Sequence, residues 1–246
     1  MKKEISWLLK EKYNNKPDKN FDRDVERLKA GEPVDYVIGF TEFLGCKIDL
    51  SKKPLIPRPE TEYWVGEAIK EVSRVFSDRK KYGFSALDIF SGSGCIGISL
   101  LKNIPSLLCD FADKDKKAVE QIKLNLKINK VRGRVIQSDI FLNIKSKYDF
   151  IFANPPYIPT TRKNKIQKSV LKFEPKEALF GGRDGLYYIN KFFKEAKNHL
   201  NPGGIIFMEF DYIQKKNIEK LVKKYNYNSF EFKKDQYGKW RLVMIK

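Results

Sequence analysis

Apolar residues recur along this chain in two rhythms that take turns. Short runs of β-branched and aromatic residues at 84–90, 107–112, 133–138, 148–153, 203–210, 228–233 and 240–245 predict strands. Helical spacing of apolar positions separates most of them, at 94–103, 115–129, 186–199 and 213–225. Strand–helix alternation over this length predicts an α/β protein, a doubly wound, mostly parallel seven-stranded sheet with helices on both faces. Only Lys234 to Lys239 joins the last two strands. That is too short for a parallel crossover, so the sheet should end in an antiparallel hairpin turned at Gly238.

Before the alternation begins, residues 18–30 read as a helix stopped by Gly31 and Pro33. The segment FTEFLGCKIDL reads as a β-hairpin with Gly45 at its turn, and 59–80 as a helix opened by Pro59. These breaks divide the chain into a short N-terminal helical segment (1–40), a β-hairpin linker (41–58) and one main domain (59–246). There is no internal repeat and no low-complexity linker.

Composition changes the picture in three ways. No apolar run is long enough for a membrane span, and the lysine-rich start lacks the apolar run of a signal peptide. Cys46, Cys95 and Cys109 lack metal-ligand spacing and read as reduced packing residues of a cytoplasmic protein; with a single His199, no metal is expected. The formal charge of +18 favours polyanionic partners, RNA, DNA or a ribosome, although general lysine enrichment produces the same balance. Residues 1–40 are nearly neutral, whereas Arg162, Lys163, Lys165, Lys168 and Lys172 form a stretch without an acid.

The candidate chemistry sits on two strand-to-helix turns. The strand FSALDIF runs into Ser91-Gly92-Ser93-Gly94-Cys95-Ile96-Gly97 and then a helix. Small residues there let backbone amides approach a ligand near the positive end of a helix. Nineteen residues after Gly94, Asp113 follows the next strand, where a carboxylate can accept hydrogen bonds from both hydroxyls of a ribose. Gly92, Gly94 and Gly97 also satisfy a dinucleotide fingerprint, so a nicotinamide cofactor stays open, as does a purely structural turn. Asp88 favours S-adenosylmethionine, whose methionine part carries an ammonium group, and Asp139 is placed to meet an adenine edge.

The strand YDFIFA ends in Asn154-Pro155-Pro156-Tyr157, the most specific feature of the chain. A planar NH₂ group is a poor nucleophile because its lone pair is delocalised. It needs two acceptors for its protons, held so that the lone pair faces the methyl donor. The Asn154 side-chain oxygen and the Pro155 carbonyl can be those acceptors, and the prolines bring stiffness without competing N–H groups. Tyr157 offers a face for a flat amide or base. A proline-rich turn after a buried strand would be the unremarkable alternative.

Three further segments carry a resemblance: GEPVDYVIGFTEFLG (31–45), LIPRPETE (55–62) and FEPKEALFGGRDGL (173–186). With the glycine loop and Asn-Pro-Pro-Tyr, the chain resembles the HemK-type protein N5-glutamine methyltransferases, the release factor glutamine methyltransferases. The resemblance extends from about residue 31 to the C-terminus. It implies a class I, Rossmann-like methyltransferase fold and methylation of the Gly-Gly-Gln glutamine of class I peptide chain release factors. It places Phe90, Ser91, Gly92, Ser93, Gly94, Asp113 and Ile140 around S-adenosylmethionine, and Asn154, Pro155 and Tyr157 around the glutamine amide. Pro57, Arg58, Glu60, Glu62, Glu174 and Pro175 would shape the acceptor entrance, although the charges among them also suit an ordinary helix start. Two departures stand out. The cofactor loop of the family usually begins with glycine where this chain has Phe90, and the family's N-terminal helical domain is usually about twice as long. An N6-adenine methyltransferase shares Asn-Pro-Pro-Tyr and suits the charge but does not account for LIPRPETE. A nicotinamide-dependent oxidoreductase leaves Asn-Pro-Pro-Tyr idle, and a non-catalytic RNA-binding module leaves both turns idle.

Overall fold

A computed structural model describes residues 1–79 and 83–246. The chain opens with three helices, α1 (Lys2–Glu11), α2 (Phe21–Lys29) and α3 (Val34–Ile38). They enclose a small core of Leu8, Tyr13, Leu28 and Val37. Asp24 is wholly buried among them, accepting from Lys12 Nζ (2.6 Å), Tyr13 Oη (2.8 Å) and Arg27 Nη1 (3.0 Å). Only α2 matches the helix expected at 18–30; α1 and α3 are additions to that reading.

Strands β1 (Phe40–Phe43) and β2 (Cys46–Asp49) form the expected hairpin. Leu44 (φ 47°) and Gly45 (φ 76°) both take left-handed conformations at its turn, which matches the right-handed twist of the strands. Helix α4 (Pro59–Arg79) follows, with Glu60 and Glu62 in its first turn; Lys80, the last residue of the predicted helix, lies outside the described residues.

The main sheet combines β3 (Ser85–Ile89), β4 (Leu108–Asp113), β5 (Arg134–Gln137), β6 (Tyr148–Ala153), β7 (Leu200–Glu209), β8 (Phe230–Lys234) and β9 (Trp240–Ile245). Their order is β5-β4-β3-β6-β7-β9-β8. The first five run parallel, while β9 lies antiparallel between β7 and β8. All six residues of β6 are buried, as a central parallel strand covered on both faces requires. One face carries α4, α5 (Cys95–Asn103) and α6 (Lys116–Asn129); the other carries α8 (Tyr187–Ala196) and α9 (Lys215–Lys224). A short helix, α7 (Lys168–Phe173), lies between β6 and α8.

The hairpin is fastened to α6 by amides instead of apolar contacts alone. Gln121, Asn125 and Asn129 stand four residues apart on α6, so they share one face. Asn129 accepts from Lys47 N (3.1 Å) and donates to Lys47 O (2.8 Å). Asn125 pairs with both backbone groups of Asp49 and also donates to Ser93 O (2.9 Å). Gln121 accepts from Lys52 N (2.9 Å). The ladder satisfies the free edge of β2 as a neighbouring strand would, and it ties the hairpin to the glycine loop.

Candidate active site

The carboxyl ends of β3, β4 and β6 open into one cleft of about 1080 Å³, continuous with solvent. This is where the strand order reverses, since β4 and β6 leave β3 in opposite directions. Phe90, Ser91, Gly92, Ser93, Asp113, Asp139, Ile140, Asn154 and Pro156 all line it, with Pro57, Arg58 and Pro175 at its front. The structure therefore brings the two predicted turns together.

Backbone conformation explains the loop. Gly94 caps α5 at φ 80°, and a Cβ there would press on Ile98 and Ile122 at 3.2–3.3 Å. Phe90 holds φ 59°, a left-handed conformation that costs an ordinary residue roughly 1–2 kcal/mol. Its ring leans on Tyr188 and Phe192 of α8, with centroids 6.1 and 6.4 Å away. The turn a glycine would make is thus kept, and the extra ring is absorbed by the helix layer. Ile140 is likewise left-handed, at φ 51°.

Two carboxylates hold this half in place. Asp113 accepts from Gly92 N and Asp115 N, both at 2.9 Å, and burial pushes its carboxyl up. Asp88 accepts from Gly97 N (3.0 Å) through Oδ2, whereas its buried Oδ1 has no protein partner. Burial raises Asp88 to about 7. Asp88 stands beneath the loop and not among the cleft-lining residues, and Gly94 is also behind the wall, because its role is to start α5.

The second turn rests on a carboxylate that the sequence did not bring to notice. Glu209, at the end of β7, is 1% exposed and accepts from Thr61 Oγ1 (2.7 Å), Trp64 Nε1 (2.7 Å) and Tyr157 Oη (2.9 Å). Burial raises its carboxyl despite these donors. The hydroxyl of Tyr157 is consequently turned towards Glu209, and its half-buried ring packs against the core cluster that includes α8. Pro155 is buried behind Asn154 and Pro156. Asn154 stays at the cleft floor, its Nδ2 3.5 Å from Thr61 Oγ1.

Several residues expected at the acceptor entrance act as braces. Glu62 accepts from Leu44 N (2.7 Å), holding the hairpin turn against α4. Glu174 is 5% exposed, accepting from Ile56 N (3.1 Å) and Arg58 Nη2 (2.5 Å), so it locks the front wall to the segment before Pro175. Glu60 contributes nothing to the cleft lining. Beyond Glu174 the Gly-Gly-Arg-Asp-Gly run clasps the second turn: Ile158 N bonds Leu179 O, Gly181 N bonds Ile158 O and Thr160 N bonds Gly182 O. A Cβ on Gly185 would come within 2.1 Å of Tyr157 O. Lys114 and Tyr188, also unforeseen, line the cleft with a 2.8 Å hydrogen bond between them.

The sheet order and this paired-turn cleft define a class I methyltransferase fold. A 16S rRNA methyltransferase of T. thermophilus, solved in complex with AdoMet and guanosine, shares it at a TM-score of 0.59 and 17% identity, covering 84% of this chain and 49% of that one. A family model for the methyltransferase small domain matches residues 73–179. A release factor glutamine methyltransferase of Flavobacterium psychrophilum is 35% identical over 223 residues, 89% of this chain and 77% of the relative. One of Lactococcus lactis is 32% identical over 245 residues, 98% and 88% of the two chains. The chain belongs to the release factor glutamine methyltransferase family.

Proposed function

We propose that this protein transfers a methyl group from S-adenosylmethionine to the side-chain amide nitrogen of a glutamine, and that the acceptor is the Gly-Gly-Gln glutamine of a class I release factor. The observation that carries the reading is the placement of Asn154 at the floor of the same cleft whose wall is the glycine loop and Asp113. The residues suit the cofactor. Asp113 keeps carboxylate lone pairs beyond those used by Gly92 and Asp115, which can accept ribose hydroxyls. Asp88 supports the loop from beneath, accepting from Gly97 N, and is not a cleft-lining charge. Asp139 and Ile140 line the same cleft and in this reading meet the adenine edge.

When bound, S-adenosylmethionine supplies an electrophilic methyl group. Asn154 Oδ1 and the Pro155 carbonyl accept the two protons of the glutamine amide and orient its lone pair. The nitrogen turns acidic as it gains the methyl group, and its surplus proton passes to water, so no side-chain base is needed. Rate enhancement then comes from positioning and from fixed dipoles. The N6-adenine alternative shares Asn-Pro-Pro-Tyr but leaves the front wall of Leu55–Glu62 without a purpose. Residues 1–40 and 41–58 serve in this reading as a release factor grip and a linker to the catalytic domain 59–246. The setting is the cytoplasm, where translation termination takes place; among the described residues no helix is long and apolar enough to cross a membrane.

Transfer of labelled methyl from the cofactor to purified release factor, beside DNA and RNA, tests the proposal. Label should enter the release factor and vanish when its Gly-Gly-Gln glutamine is replaced. Label in DNA or RNA alone would overturn it.

A further inference from the structure

Glu209 gathers three donors, and one of them leads back to the amide at the cleft floor. Thr61 Oγ1 lies 2.7 Å from Glu209 Oε2, Trp64 Nε1 donates to the same oxygen, and Tyr157 Oη donates to Oε1. Glu209 Oε2 already accepts from the donor-only indole of Trp64, and as an acceptor it also takes the single hydroxyl proton of Thr61. Thr61 then has only lone pairs to offer its other neighbour, the Asn154 side chain 3.5 Å away. A carboxamide has one donor end and one acceptor end. Nδ2 must face Thr61, and Oδ1 must face away from it.

We propose that Thr61, held by Glu209, sets the orientation of the Asn154 side chain so that its oxygen, and not its NH₂ group, meets the substrate amide. Thr61 and Glu209 are positioning residues: neither needs to touch the substrate. The inference rests on the reading that Asn154 holds the acceptor amide. A flipped Asn154 would set NH₂ against NH₂, losing one bond and adding a repulsion between two donors. With a planar nucleophile whose lone pair must be drawn out, the loss falls on the chemical step.

The three elements involved explain why the device needs the whole fold. Thr61 stands in the first turn of α4, Asn154 follows β6 and Glu209 ends β7, residues separated by 93 and 148 positions from Thr61. Thr61 is 2% exposed and Glu209 1%, so water cannot substitute for either partner without rearrangement.

Thr61→Val keeps the shape and removes the hydroxyl; Thr61→Ser restores the hydroxyl without the methyl. With wild-type protein first shown to methylate a release factor, Thr61→Val should lower kcat about tenfold. KM for release factor and Kd for S-adenosylhomocysteine should stay within about twofold, and Thr61→Ser should recover most of the rate. If valine lowers the melting temperature, Thr61→Ala, which only deletes atoms, replaces it in the comparison. Wild-type kcat in the hydroxyl-free variant, or a serine variant as slow as the valine one, overturns the orientation device. A wild-type protein that leaves release factor unmethylated overturns instead the function on which it rests.

Discussion

At the residue scale, the site is a set of buried carboxylates with unequal tasks. In the proposed reaction Asp113 serves binding and Asn154 serves chemistry, so their replacements should separate cleanly. Asp113→Ala should weaken S-adenosylhomocysteine binding by ~1–3 kcal/mol through loss of charge-assisted bonds, as calorimetry would read. Asn154→Ala should abolish turnover while cofactor binding stays within about tenfold. Asp88 leads to a pH dependence. Its folded-state carboxyl sits at about 7 against an ordinary 3.8, so the fold prefers it protonated. That stabilisation is complete below pH ~4 and is lost as pH rises towards 7, for a total of up to ~4 kcal/mol at 1.36 kcal/mol per pH unit. Asp88→Asn, which cannot ionise, should flatten the melting temperature of the ligand-free protein across that interval. A wild-type and variant pair with parallel curves would show that Asp88 carries no such charge cost.

Single residues also mark where sequence reading stopped. Asp113, Asn154 and the glycine loop were legible because strand ends announce themselves and because small residues and prolines have few other uses there. Glu209 was not, since an acid at the end of one strand looks like any other and its three donors arrive from remote positions. Glu62 and Glu174 show the converse. Their segments are distinctive, but a carboxylate accepting backbone N–H groups of a neighbouring segment and one pointing into a cleft are identical in sequence.

At the element scale, the strands were readable because a strand buried on both faces is a continuous apolar run, as in β6. Their order in the sheet was not, beyond the terminal hairpin, because no local signal tells β6 to lie beside β3. The amide ladder of Gln121, Asn125 and Asn129 also escaped, being indistinguishable from the polar face of a surface helix. Clasping of the second turn by the Gly-Gly-Arg-Asp-Gly run is testable here. Gly185 combines φ 78° with carbonyl oxygen contact that excludes a Cβ, so Gly185→Ala strains the backbone and pushes on Tyr157 together. The variant should lose stability by about 2 kcal/mol or more and lose kcat out of proportion to its cofactor affinity. Full activity after this change would mean the clasp can move aside.

At the scale of the whole molecule, the +18 charge has one location of interest. Of the five basic residues after the second turn, Arg162 is spent on Asp211 at 3.0 Å, and Lys172 reaches back to Ala30 O at 3.4 Å. Lys163, Lys165 and Lys168 remain exposed. Screening at physiological salt acts over about 8 Å, so such lysines influence encounter more than chemistry. Replacing all three by Glu should lower kcat/KM for release factor at low salt, leave kcat nearly unchanged and lose its effect as salt rises. A salt-independent result would reduce the stretch to a solvated loop.

The place of β9 between β7 and β8 has a consequence for biosynthesis. Glu209 ends β7, and the outer edge of that strand is paired only by Trp240–Ile245. A chain emerging N-terminus first can complete its glycine loop and its Asn-Pro-Pro-Tyr turn long before these residues exist. Until they arrive, β7 carries an unpaired edge lined by Phe207 and Met208, and the anchor beneath Asn154 lacks its neighbour. The glycine loop is thus encoded well ahead of β9, while the strand that ends in Glu209 is covered on its outer edge only once Trp240–Ile245 have been made. In the proposed reaction, a nascent chain would therefore assemble the donor side of its cleft before the anchor of Asn154 is complete.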